Sequence, residues 1–224
     1  MITRWLPVLL LLVAGVANAH DLSADNAAFV ESLSGAAAGP FLYLGAKHMF
    51  TGYDHLLFLI GVIFFLYRPR DIVLYVTLFT IGHSLTLVLG VAIGWQVSGH
   101  LVDAIIGLSI VYKAFENMSG FKVLFGFEPD TRIAVFIFGL FHGLGLATKL
   151  QEYVSTGDGL WTNLLSFNIG VELGQLAALM IILIALLQWR WHASYQQHAF
   201  LSNSILMCAG FVLAGIQFTG YLFA

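Results

Sequence analysis

The chain has 224 residues, a formal net charge of -3, 59% hydrophobic residues and only 9% charged ones. Soluble domains carry about a quarter charged residues, so this composition excludes a soluble globular domain and points to an integral membrane protein. No basic cluster offers a nucleic-acid surface, and the single Cys208 excludes an intrachain disulfide framework or thiolate metal cluster. Any metal site must therefore use histidine and carboxylate.

In chain order, Arg4 precedes the apolar run PVLLLLVAGV, and the small residues ANA close it before His20. A positive start, a short apolar core and an A-x-A-like ending predict a cleavable secretory signal peptide over residues 1–19. Cleavage there makes His20 the mature N-terminus, either a chelating amine–imidazole pair or the first residue of a flexible tail. Residues 20–43 are mixed and are expected to form a periplasmic, interfacial segment. Residues 44–224 are expected to form an all-α polytopic bundle of six transmembrane helices. A crossing helix needs about 20 mostly apolar residues, and six stretches qualify: about 44–67, 71–93, 99–117, 132–149, 160–188 and 199–222.

The connections are short, and Arg68, Arg70, Lys122, Arg132 and Arg190 fall in alternate ones. Basic residues mark the cytoplasmic side, which predicts a bacterial inner-membrane protein with both mature termini in the periplasm. Trp95 and Trp161 then lie at the outer interface and Trp189 and Trp191 at the inner one, as aromatic belts do.

Ionisable groups inside a bilayer are costly and face a cavity or a partner. Here they are His48, Asp54, His55, His83, Lys113, Glu116, His142 and Glu172. With a helix rise of about 1.5 Å per residue, His55, His83, His142 and Glu172 all fall near the middle of a core about 30 Å thick. Four helices thus bring imidazole or carboxylate to one level. His48 and His55 are seven apart, with Gly52 between them, and Asp54 can orient the neighbouring imidazole or act as a ligand. In the fifth span, Asn168, Glu172 and Gln175 form a polar stripe at i, i+4, i+7. Gly139/Gly143 and Gly170/Gly174 are small-residue faces that allow close packing, expected to bring His142 near Glu172.

Imidazole plus carboxylate suits Ni, Co, Zn or Fe as a divalent ion. The expected ligand set is His48, Asp54, His55, His83, His142 and Glu172, with Asn168, Gln175, Lys113 and Glu116 as supporting or pathway groups. A metal-free polar network or proton path fits the same residues. Lys113 and Glu116 read most simply as an i, i+3 ion pair, or more sharply as a cytoplasmic exit gate. Ser84 beside His83 does not face it and makes a poor nucleophile–base pair. The many Phe residues read as packing and lipid-facing bulk.

The segment HMFTGYDHLL at 48–57 resembles the H-P-x-x-G-x-D-H signature of the HupE/UreJ family of small bacterial membrane proteins. His48, Gly52, Asp54 and His55 match, and Met49 stands at the proline. FHG at 141–143 resembles the start of that family's F-H-G-x-A-H-G-x-E signature, after which Leu146 replaces the second histidine and Lys149 the glutamate. TIGHSLTL at 80–87 and FNIGVELGQ at 167–175 resemble features of a divergent branch. The resemblance implies a nickel or cobalt permease, or an accessory protein with hydrogenase or urease maturation partners.

Three functions fit. A metal permease would take the ion past Asp54 and His48, hold it among His55, His83, His142 and Glu172, and release it past Glu116. An intramembrane metal-dependent hydrolase would use three histidines and an open position, with Glu172 or Asp54 as general base. A non-catalytic assembly factor would use the same groups as structural polar contacts. The lipid bilayer and the metal ion are the expected partners of the first.

Overall fold

The computed structural model describes residues 35–153 and 159–223. The expected signal peptide, His20 and most of the expected interfacial segment lie outside the described residues. Among those described, the regular structure is all α-helical, without strands: α1 (Ala38–Thr51), α2 (Tyr53–Ile63), α3 (Pro69–Ile93), α4 (Gly99–Asn117), α5 (Gly120–Phe125), α6 (Thr131–Tyr153), α7 (Leu160–Arg190) and α8 (Ser194–Phe223).

Local chemistry sets these boundaries. Pro69 opens α3 after an extended Arg68, where its missing N–H is no loss. Gly94 closes α3 in the left-handed region (φ 67°), donating its N–H back to the carbonyls of Gly90 and Val91. The Ser98 hydroxyl caps α4 by accepting from the Leu101 N–H.

Among the described residues, four helices are long and apolar enough to cross a membrane: α3, α6 over Thr131–Gln151, α7 and α8. The chain is a membrane protein. The other two expected crossings differ in kind. The stretch expected as one helix over 44–67 is two helices meeting at Gly52, and the first starts earlier, at Ala38. The 19-residue α4 carries Asp103, Lys113 and Glu116.

The helices pack mainly in three pairs, α3 with α6, α4 with α8 and α1 with α7. Each seam is lined by glycine. A Cβ on Gly143 would collide with the His83 carbonyl, one on Gly107 with Ala214, and one on Gly170 with the Leu42 carbonyl. In lipid, where apolar burial drives little association, such close backbone contact is what holds helices together.

The short α2 contacts α1, α4, α7 and α8 and buries Asp54, His55, Phe58, Leu59, Gly61, Val62 and Ile63. Its end needs partners for carbonyls that no further turn satisfies. Arg190 supplies them, donating to Ile63 O at 2.6 Å, Phe64 O at 2.7 Å and Leu66 O at 2.9 Å. The Tyr195 hydroxyl also donates to Phe64 O.

Candidate metal centre

The break between α1 and α2 builds the centre. In a continuous helix, residues seven apart are separated by about 10.5 Å along the axis. Here Gly52 has φ -74° and ψ 90°, so the helix stops and restarts. The His48 and His55 rings thereby come to 5.1 Å between centroids. A side chain at this position would crowd the centre. A Cβ on Gly52 would sit 2.8 Å from His55 Nδ1, 3.1 Å from an Asp54 carboxylate oxygen and 3.1 Å from the His48 carbonyl.

Asp54 falls in the first turn of α2, where the helix dipole favours a carboxylate. Its Oδ1 lies 3.1 Å from His55 Nδ1, which orients that imidazole. His142, wholly buried on α6, places its ring 4.7 Å from that of His55. His83 on α3 lies 6.1 Å from His55, and its ring stacks on Phe79. Asp54, His55 and His142 each offer a ligand atom, and these atoms all lie within 4.8 Å of one another. Ligands bound to one ion at about 2.0–2.2 Å lie no more than about 4.4 Å apart, so the three side chains reach a shared ion by a small inward rotamer adjustment. The donors therefore fit a divalent transition metal, with His48 and His83 on the margin.

Glu172 is placed elsewhere. The Gly139/Gly143 face packs α6 on α3 at Phe79 and His83, and the Gly170/Gly174 face packs α7 on α1 at Leu42 and Ala46. Neither seam joins α6 to α7, so His142 and Glu172 are not drawn together as the small-residue faces suggested. Glu172 is exposed on the flank of α7, lining a separate cavity. Gln175 is buried and Asn168 half-buried, so the expected stripe straddles the edge of the inward face of α7.

Beneath the centre lies an aromatic floor. Phe58 and Phe79 are 5.3 Å apart, Phe58 and Phe138 5.8 Å, and both Phe58 and Phe79 contact the His142 ring. Composition reads these rings as bulk; the contacts give them a position between the centre and the α4 end of the bundle. There Lys113 bonds Glu116 at 3.0 Å as the spacing predicts, and Thr131 also donates to Glu116. These groups line a cavity of about 250 Å³.

Other polar contacts escaped the sequence reading. Lys149, at the position of the second signature's glutamate, pairs with buried Asp103 at 2.8 Å and ties α6 to α4. Asn117 donates to Gly61 O at 2.8 Å and to Asn203 at 2.9 Å. A polar residue one or two turns inside the end of each span was the available signal, although nothing in the spacing pairs residues 46 apart.

Residues 24–224 match the HupE / UreJ protein family. The chain belongs to the HupE/UreJ family. The match covers nearly the whole chain and includes every residue of the centre. No curated protein and no solved structure matches it. In this HupE/UreJ protein the family's first signature is thus the turn at which α1 ends and α2 begins.

Proposed function

We propose that this HupE/UreJ protein binds a divalent transition metal inside the membrane and passes it on, as a permease of the nickel or cobalt type or a metal-handling accessory protein. The carrying observation is the convergence of Asp54, His55 and His142 from α2 and α6 to within ligating range. His48 and His83 are the further ligands, used as the ion enters or leaves, and Asp54 holds the His55 ring.

The protein is read as an inner-membrane one with its signal peptide removed and both termini periplasmic. Six crossings result when α1 and α2 together form the first and α4 the third. Discontinuous helices place ion sites at half-depth in transporters, and the α1–α2 break is of that kind. Conduction needs ligands that bind and also release. A histidine-rich set meets this, since neutral imidazole is a ligand of intermediate softness that a neighbouring nitrogen or oxygen donor can replace. The ion must then part the Phe58, Phe79 and Phe138 floor to reach the Lys113–Glu116 cavity.

That floor favours one rival. A site closed on one side suits a tightly held metal, as in an intramembrane metal-dependent hydrolase.

The test is metal content of the detergent-purified protein by inductively coupled plasma mass spectrometry, beside His55→Ala and His142→Ala. Near-stoichiometric metal, lost in both variants, is the expected result. Uptake by reconstituted vesicles separates transport from retention. A protein that holds no metal, in vesicles that take up no Ni, Co, Zn or Fe above the protein-free background, sinks the reading.

A further inference from the structure

The exposed carboxylate on α7 has no place in the metal centre, yet it stands near the middle of a long apolar helix. Its neighbours on the same surface, Ile169, Leu173, Leu176 and Met180, are exposed and apolar. A bare carboxylate in hydrocarbon is strongly disfavoured. Glu172 avoids that environment by lining a lateral cavity of about 110 Å³ between α3 and α7 with Thr77, Thr80 and Gln175, where no lysine, arginine or histidine contributes to the wall. The two helices touch only sparsely, unlike the three glycine-lined pairs.

We propose that this cavity is a site for a hard monovalent cation of the sodium class, held by Glu172 with Thr77, Thr80 and Gln175. The donor set decides the class. A carboxylate, two hydroxyls and an amide carbonyl are all oxygen ligands, which select hard cations, whereas the imidazoles of the centre select Ni, Co or Zn. Charge decides the valence. One carboxylate neutralises a monovalent ion, while a divalent ion would leave a net positive charge among apolar side chains with nothing to balance it.

Gln175 connects the two sites. It lines the lateral cavity and also a small cavity of about 10 Å³ beneath His55. Its amide oxygen accepts from Thr80 Oγ1 at 3.3 Å, and its NH2 reaches Val76 O at 3.5 Å. A cation that takes the amide oxygen competes with the Thr80 bond and turns the amide that walls the His55 cavity. Sodium bound at Glu172 is thereby felt at the metal centre, which supplies a gradient to a chain whose sequence holds no phosphate-binding glycine loop. This coupling rests on the proposed metal-binding reading; the sodium site itself does not.

The test uses the full-length protein in detergent, with NaCl compared against choline chloride at equal ionic strength. Sodium is expected to raise the Tm of the wild type by several degrees and to leave E172Q unmoved. Thr80→Val, which keeps the carboxylate, is expected to shift the sodium dependence to several-fold higher concentration. Ni2+ titration of the wild type should tighten several-fold in sodium, and that gain should vanish in E172Q. A wild type indifferent to sodium, or a sodium response that persists in E172Q, overturns the site. So does an E172Q variant that changes oligomeric state, because the carboxylate then belongs to an interface. Should no Ni2+ bind in either salt, the metal-centre reading fails on its own, and the thermal shift still decides the sodium site.

Discussion

Two of the polar regions within the described helices are built in opposite ways. Around Lys113 and Asn117, donors meet acceptors. Lysine pairs with glutamate, threonine with the same glutamate, and asparagine with a carbonyl and a second asparagine. At the Gly52 break, like groups meet instead, with four imidazoles arranged edge to face around one carboxylate. Complementary pairs lock helices together. A gathering of like nitrogen donors does little for the helices and suits a cation. The contrast teaches that polarity inside a membrane helix does not itself mark a site; the mixture of donors and acceptors does.

The sharpest way to break the contrast is Asp54→Asn, which keeps the shape beside His55 and removes the charge. Metal affinity should fall about 10–100-fold, as for other groups that orient a ligand histidine, in a competition titration with a chromogenic chelator. An unchanged affinity would place the metal elsewhere. Next is Asn117→Ala, which removes two bonds and leaves Asn203 and the Gly61 carbonyl short of a partner. The loss should be about 2 kcal/mol of stability, read as a lower Tm in detergent, with metal content untouched. Gly52→Ala should do the reverse: its Cβ crowds His55 Nδ1, so metal binding should weaken about tenfold, or about 1.4 kcal/mol, with a much smaller change in Tm. The smallest effect is expected of the joint change Lys113→Met with Glu116→Gln, which leaves no lone charge: about 1 kcal/mol of stability and no change in bound metal. A loss of metal in that variant would show that the two regions act as one.

Much of this contrast is legible in the sequence. Hydropathy and helix rise bring His55, His83 and His142 to one expected depth, and the H-x-x-x-G-x-D-H spacing marks the α1–α2 part of the centre. The Lys113–Glu116 pair follows from its i, i+3 spacing. Glu172 shares the depth of the histidines but not their side of the bundle, because depth follows from counting residues while facing depends on which helices pair. The glycine faces were visible, but each fits any close backbone, so α6 went to α3 and α7 to α1. The stop at Gly52 was hidden by the unbroken apolarity after it. Asp103 and Lys149 looked like separate blemishes near the ends of different spans until the fold set them 2.8 Å apart.

The three glycine seams carry a mechanical consequence. Where backbones touch directly, there is no side-chain cushion to shear, so each pair behaves as a single stiff plank. The contacts between planks are sparser side-chain ones, and α2 lies among them, gripped at its far end by the guanidinium at the foot of α7. Any opening of the centre therefore has its cheapest route in sliding one plank along another, with α2 tilting about the Arg190 anchor as the α1–α2 corner flexes.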